Sequence, residues 1–260
     1  MNKKQILCGL ASLLTAFTSL NTHSVIIDGT FKGYVMSAWD NGDASPFFND
    51  FFSPDIVGKD FKGSFWYDTD LAPANQSSIG QWRASETNNW LGLTFKVDGK
   101  ILDMSSIPAN FTATNSWEAL NIGDPNFSTG LHDFTQEYFG VSDANLAVNG
   151  NFKSYQGGTV SFLDAIVPVL TGPELTQNFT WKDSGEDYSN WDDIPGLATY
   201  NIDSLLNDKQ TQGGFLARIT KLTVATRKEA SVPEPSSLLL LAFGVLGLVL
   251  RSYKSKNKFL

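Results

Sequence analysis

The chain has 260 residues, and all 27 of its Asp and Glu lie between Val25 and Pro235, against 13 of its 19 Lys and Arg, which gives that stretch a net charge of −14. Such an acid excess argues against nucleic acid as a partner, because its binders carry basic patches. The single cysteine, Cys8, lies outside the stretch, so disulfides cannot hold it together, and 19 Phe and 7 Trp point to an aromatic core instead.

The N-terminus opens with a small positive segment, Lys3-Lys4, followed by an apolar run over residues 6–20. Thr22 and Ser24 then occupy the −3 and −1 positions of a signal-peptidase site, so residues 1–24 read as a signal peptide cleaved after Ser24. What remains up to Pro235 is about 210 residues, enough for one well-cored domain.

Residues 30–39 form the first expected strand. The acidic loop Asp40-Asn41-Gly42-Asp43 follows. In residues 60–68, Phe61, Phe65 and Tyr67 alternate with Lys62, Ser64 and Asp68, the period of a half-buried strand. Leu91, Leu93, Phe95 and Val97 alternate again. Asp98-Gly99 then signals a tight type I′ hairpin turn, and Lys100-Ile101-Leu102 begins the return strand. Helical turns are expected only at residues 143–148, 203–208 and 134–139. Gly157-Gly158 reads as a turn ahead of a strand at residues 159–163, and residues 200–202 read as another strand. Residues 215–226 (FLARITKLTVAT) make a long strand whose alternation slips near Thr220-Lys221, the mark of a bulge.

Strands recurring every ten to fifteen residues, with Gly, Asn, Asp and Pro clusters between them, predict an all-β, antiparallel β-sandwich of jelly-roll type over residues 25–226. Crossover helices for a parallel sheet are missing.

No catalytic set stands out. His132 is the only histidine of the domain, and no Gly-x-Ser-x-Gly elbow accompanies it. Cysteine and histidine metal motifs are absent too. Oxygen-rich loops remain: Asp40 with Asp43, and Asp183, Glu186 and Asp187 around Gly185. Calcium is the ion such loops suit, and a solvated Asx turn is the competing and commoner reading. No other cofactor is expected. Trp39, Trp181 and Trp191 flank these loops. They are candidate stacking platforms for sugar rings, with core packing the commoner fate of a sandwich tryptophan.

Residues 227–235 form a linker that ends in Val232-Pro233-Glu234-Pro235. An apolar run of 13 residues follows at 238–250, then Arg251, Lys254, Lys256 and Lys258 with no acid among them. As a helix the run spans about 20 Å, against about 30 Å of bilayer hydrocarbon, a marginal crossing. The prolines block helix propagation upstream, and the cations hold the tail on the cytoplasmic side. Residues 236–260 therefore read as a short transmembrane helix with a basic tail, a weak stop-transfer element that a processing enzyme can release.

This ending resembles the PEP-CTERM sorting signal of exported bacterial proteins, in which the Pro-Glu-Pro, the apolar run and the basic end occur in that order. The resemblance implies an exosortase-type peptidase as partner and transient anchoring in the inner membrane. Release to the cell surface or exterior follows, often alongside exopolysaccharide and biofilm production. The expectation is a non-enzymatic, exported surface or matrix protein that binds glycan of the extracellular polysaccharide or another envelope component, with a purely structural or adhesive matrix component as a further reading. The alternative is a secreted hydrolase that attacks polysaccharide with paired carboxylates.

Overall fold

A computed structural model describes residues 24–41, 54–76, 80–84, 90–104, 106, 112–123, 137–164, 169–170, 172, 174–185, 194–206 and 209–228. The chain divides into two compact units, Met1–Thr226 and Arg227–Leu260. The described residues lie almost wholly in the first. The expected signal peptide apart from its last residue, Ser24, and the expected transmembrane segment with its Pro-Glu-Pro fall outside them.

The described residues of the first unit form eleven strands: β1 (Ile26–Asn41), β2 (Asp60–Asp68), β3 (Gln81–Ala84), β4 (Leu91–Val97), β5 (Lys100–Asp103), β6 (Thr112–Gly123), β7 (Glu137–Asn149), β8 (Phe152–Asp164), β9 (Phe179–Lys182), β10 (Gly196–Leu206) and β11 (Lys209–Thr226). One 3-10 turn, Pro54–Ile56, precedes β2. Every pairing is antiparallel, in the order β3, β6, β7, β8, β10, β11, β1, β2, β4, β5, with β9 also on β11.

The long β1–β11 ribbon turns this one sheet into two layers. Residues 26–34 of β1 pair with β2, while residues 37–41 pair only with the first half of β11, which itself pairs with β10. Two register shifts lie between. Lys32 pairs with Lys221 and Gly33 with Ile219, so Thr220 is the extra residue. Val35 pairs with Ala217 and Ser37 with Leu216, so Met36 is the second. Bulges bend and twist a strand, and these two carry the ribbon from a front layer (β9, the end of β11, the start of β1, β2, β4, β5) to a back layer (β3, β6, β7, β8, β10, the start of β11, the end of β1). Thr220 is where the sequence alternation slips: Phe215, Ala217 and Ile219 face inward before it, Leu222 and Val224 after it.

Aromatic rings fill the space between the layers. Phe61 meets Phe215 edge-on at 5.6 Å, Phe95 meets Tyr200 at 6.4 Å, and Phe65 meets Phe139 at 5.8 Å. All six are buried. Each such side chain contributes about 1.5–3 kcal/mol through burial, and each good ring pair about 0.5–1.5 kcal/mol more. The β4–β5 hairpin turns at Asp98 (φ 45°) and Gly99 (φ 82°), both left-handed as a type I′ turn requires.

A polar latch closes one end of the core. The Asp143 carboxylate accepts the Leu93 N–H at 3.2 Å, just where β5 runs out and stops pairing with β4. Asn145 donates to the Met104 carbonyl. Gln156 donates to the Ser106 carbonyl at 2.6 Å. This latch explains one difference from the sequence reading. Residues 143–148 are not a helical turn but the middle of β7, and residues 137–139 begin that strand, while 134–136 lie outside the described residues. Residues 203–206 likewise belong to β10. Pairing on both edges outweighs the local helix preference of the Ala and Leu residues there. Gly157 and Gly158 are not a turn either. They sit buried inside β8, where the Phe95 ring and the Met104 sulfur occupy the space a Cβ on Gly158 would need.

Candidate glycan-binding face

The outer face of the back layer carries an unusual row. Trp117 on β6 is directly opposite Ala144 on β7, Ala144 opposite Gly157 on β8, and Gly157 opposite Asn201 on β10. Asn201 is opposite Gly214 on β11, and Gly214 opposite Trp39 on β1. Directly opposed residues share one face of a sheet. Their neighbours Phe139, Val160, Tyr200 and Phe215 point into the core, so this row points out. Five strand intervals make it about 24 Å long.

Large rings stand at both ends and small residues lie between. Trp117 is 42% exposed and Trp39 39%. The Trp39 indole lies over Gly214, and the Tyr155 phenol lies over Gly157, each filling the place of a missing side chain. Tyr155 is itself 37% exposed. Its hydroxyl pKa is raised by burial, then by the carboxylates of Asp203 and Asp143, so the phenol is neutral at physiological pH. The next row, Ser142, Thr159, Thr199 and Leu216, is mostly hydroxyl-bearing, and Ser142 and Thr159 bond each other at 3.0 Å. Exposed rings bordered by hydroxyl and amide groups are the surface chemistry on which the C–H faces of sugars stack.

Of the tryptophans expected to stack on sugar, Trp39 is on this face. Trp181 is a correction: it is 2% exposed and stacked on Phe162 at 5.3 Å and 8°, with the start of β10 beneath it at Gly196. It is a core residue because β9 turns Phe179 and Trp181 inward together. Trp191 lies outside the described residues. Trp117 and Tyr155 escaped the sequence reading, since only strand register brings them into line with Trp39.

The acidic loops resolve unequally. Asp40 is exposed near the end of β1, while Asp43, Glu186 and Asp187 lie outside the described residues. Asp183 has both oxygens engaged: Oδ1 accepts the Gly185 N–H at 3.2 Å, an Asx turn, and Oδ2 accepts Arg218 Nε at 2.6 Å. That carboxylate raises the Arg218 pKa further above its ordinary value. Among the described residues no three His, Cys, Asp or Glu converge as metal ligands.

Glu118 on β6 and Asp143 on β7 are opposed, so their carboxylates are close neighbours, but they are 3% and 2% exposed. A polymer has no access to either. His132 lies outside the described residues.

Pro233, Glu234, Pro235, Arg251, Lys254, Lys256 and Lys258 are likewise outside them. Among the described residues no helix is long and apolar enough to cross a membrane. No curated protein and no solved structure matches the chain. Residues 231–254 match the PEP-CTERM protein-sorting motif, which marks the chain as an exported protein and an exosortase substrate.

Proposed function

We propose that this is a non-enzymatic surface or matrix protein. After export it is held briefly in the inner membrane by residues 236–260, cut near Pro233-Glu234-Pro235 and released to the cell surface. There its β-sandwich binds glycan of the extracellular polysaccharide in which a biofilm is embedded. The observation that carries the binding reading is the row Trp117, Ala144, Gly157, Asn201, Gly214, Trp39, which has an exposed ring at each end and small residues or an amide between them. Among the described residues no accessible pair of carboxylates stands beside this row, which suits holding a chain rather than cutting it.

Calorimetric titration of the full chain in mild detergent with a soluble neutral β-glucan tests this. Trp39→Ala and Trp117→Ala are each expected to weaken binding about tenfold, the share of a stacked ring at a contact. Unchanged binding in both variants, or no binding by the parent, refutes the strip. Mass spectrometry of surface material tests the sorting half: chains are expected to end near Pro235, and intact Leu260 outside the membrane refutes it.

A further inference from the structure

The outer face of the front layer carries a second row, of quite different chemistry. Lys182 on β9 is opposite Lys221 on β11, Lys221 opposite Lys32 on β1, Lys32 opposite Lys62 on β2, and Lys62 opposite Lys96 on β4. Five of the 13 basic residues in a stretch of net charge −14 thus form one straight line across five adjacent strands. Four are exposed and Lys221 is half-buried. Among the described residues none of the five ammonium groups has a carboxylate partner within ion-pair distance.

Like charges directly opposed across strands destabilise a sheet. Lysines do guard sheet edges against aggregation, which accounts for Lys182 on the edge strand β9. It does not account for Lys221, Lys32 and Lys62, which sit on interior strands.

The next row completes the surface. Thr180, Thr223, Thr30, Ser64 and Thr94 are opposed in the same succession, one hydroxyl per strand. Between the two rows lies a shallow depression of about 250 Å³, lined by Thr30, Phe31, Lys32, Lys62, Lys221 and Thr223 and free of carboxylates. Acids approach only the margins: Asp60 and Asp98 beside Lys62 and Lys96, Asp103 opposite Thr94, and Asp28 one row further on.

We propose that this face binds a linear acidic polysaccharide, a polyuronate, laid along the lysine row. The cations repeat at the strand interval of about 4.8 Å, close to the length of one extended pyranose unit, so a chain with one carboxylate per sugar matches the row in charge density, and those carboxylates that turn toward the sheet meet ammonium groups. The threonine and serine hydroxyls bond the sugar hydroxyls alongside. Neither row carries an aromatic side chain on which bases could stack. Apart from Ile101, opposite Lys96 at the far end, neither carries a large apolar side chain to enter a bilayer. The inference is independent of the aromatic strip, which lies on the opposite layer.

Full-length protein in mild detergent, titrated with polygalacturonate, tests it. Binding is expected at low salt and is expected to fall at least about tenfold by about 0.5 M sodium chloride, where exposed charges are screened. The triple variant Lys32→Gln/Lys62→Gln/Lys221→Gln is expected to lose at least about tenfold in affinity, with no fall in Tm because like-charge repulsion is relieved. Arginine at the same three positions is expected to retain binding. Parent-like affinity in the glutamine variant overturns the proposal, as does absence of binding by the parent. Duplex DNA or anionic phosphatidylglycerol vesicles binding as tightly as polygalacturonate overturn the polysaccharide assignment.

Discussion

Gly63 on β2 is directly opposite Phe31 on β1, and the Phe31 ring occupies the space in which a Gly63 Cβ would lie. Two residues along, the arrangement is reversed: Phe65 on β2 covers Gly29 on β1. The two rings end up stacked at 6.5 Å and 19°. Each glycine opens a bed for the ring across from it, so two phenylalanines fit where two side chains per row would collide.

Gly63→Ala is therefore an overpacking change. It is expected to cost about 1–3 kcal/mol, because the new methyl meets the Phe31 ring and also the Thr94 carbonyl oxygen, which is backbone and cannot swing away. For Gly29→Ala the nearest obstacle is the Phe65 ring, a side chain that can shift, and the change is expected to cost less. Urea denaturation of both variants checks the ranking.

Deletion of Thr220 removes one of the two bulges. The extra residue is what lets Ile219 and Leu222, three positions apart, both face inward, so its removal restores strict alternation: Ile219 still meets Gly33, Lys221 meets Lys32 and Leu222 meets Phe31. The deletion variant is therefore expected to keep its core face and its cooperative thermal transition and to lose the local bend and twist that the bulge supplies, at a cost of about 0.5–3 kcal/mol, whereas Thr220→Ser, which keeps the extra residue, is expected to stay within about 0.5 kcal/mol of the parent.

Several of these features were open to reading in the linear sequence, and others were closed to it. The β4–β5 hairpin and the Thr220 bulge were legible because both are local: a left-handed dipeptide, and a break in period-two alternation. The middle of β7 was not, because Asp143 and Asn145 face inward to serve backbone groups at Leu93 and Met104, on strands far away in sequence. Polar residues at core positions hide the alternation. Both outer-face rows were closed for the same reason. Lys32, Lys62, Lys96, Lys182 and Lys221 are unremarkable in their own strands, and only register aligns them.

Asp183 and Arg218 form an ion pair whose side chains are 3% and 11% exposed. A charge-assisted bond with little solvent access is worth about 1.5–3 kcal/mol, so Asp183→Ala is expected to destabilise by about that amount. With both carboxylate oxygens committed, Asp183 has little to offer calcium. Millimolar calcium or a chelator is expected to leave the Tm of the parent and of the variant equally unmoved. A calcium-dependent rise present in the parent and lost in Asp183→Ala would return this loop to metal binding.

Burial raises the hydroxyl pKa of Tyr67 and of Tyr200, and Tyr138 is shifted the same way despite its bond to Ser161. The sign follows from proton counting. Above about pH 10 the unfolded chain releases these protons and the folded chain keeps them, so stability is intact below that pH and falls as pH rises, by up to about 1.4 kcal/mol per unit for each such group. Tyr67 also donates to the Leu175 carbonyl at 2.7 Å. Tyr67→Phe is expected to cost about 1 kcal/mol near neutrality and to reduce the alkaline slope. Denaturant midpoints from pH 7 to about pH 11 separate the two effects, and an unchanged slope in Tyr67→Phe contradicts the assignment.

Trp181 and Trp39 make the sharpest test of how the same residue type is used on the two sides of the sheet. Trp181 is stacked on Phe162 inside the core, where Phe179 also meets Phe162 at 5.6 Å. Replacing it with alanine leaves an indole-sized void that β9, four residues long, cannot collapse to fill, so Trp181→Ala is expected to cost about 3–5 kcal/mol. Trp39 lies over Gly214 and is more than one-third exposed. Trp39→Ala is expected to cost under about 1 kcal/mol. Fluorescence reports the difference independently of stability: a soluble quencher is expected to reach the Trp39 indole and not that of Trp181, so the quenchable share of emission falls in Trp39→Ala and is kept in Trp181→Phe. Equal destabilisation by the two alanine changes would place Trp39 in the core and remove one end of the aromatic strip.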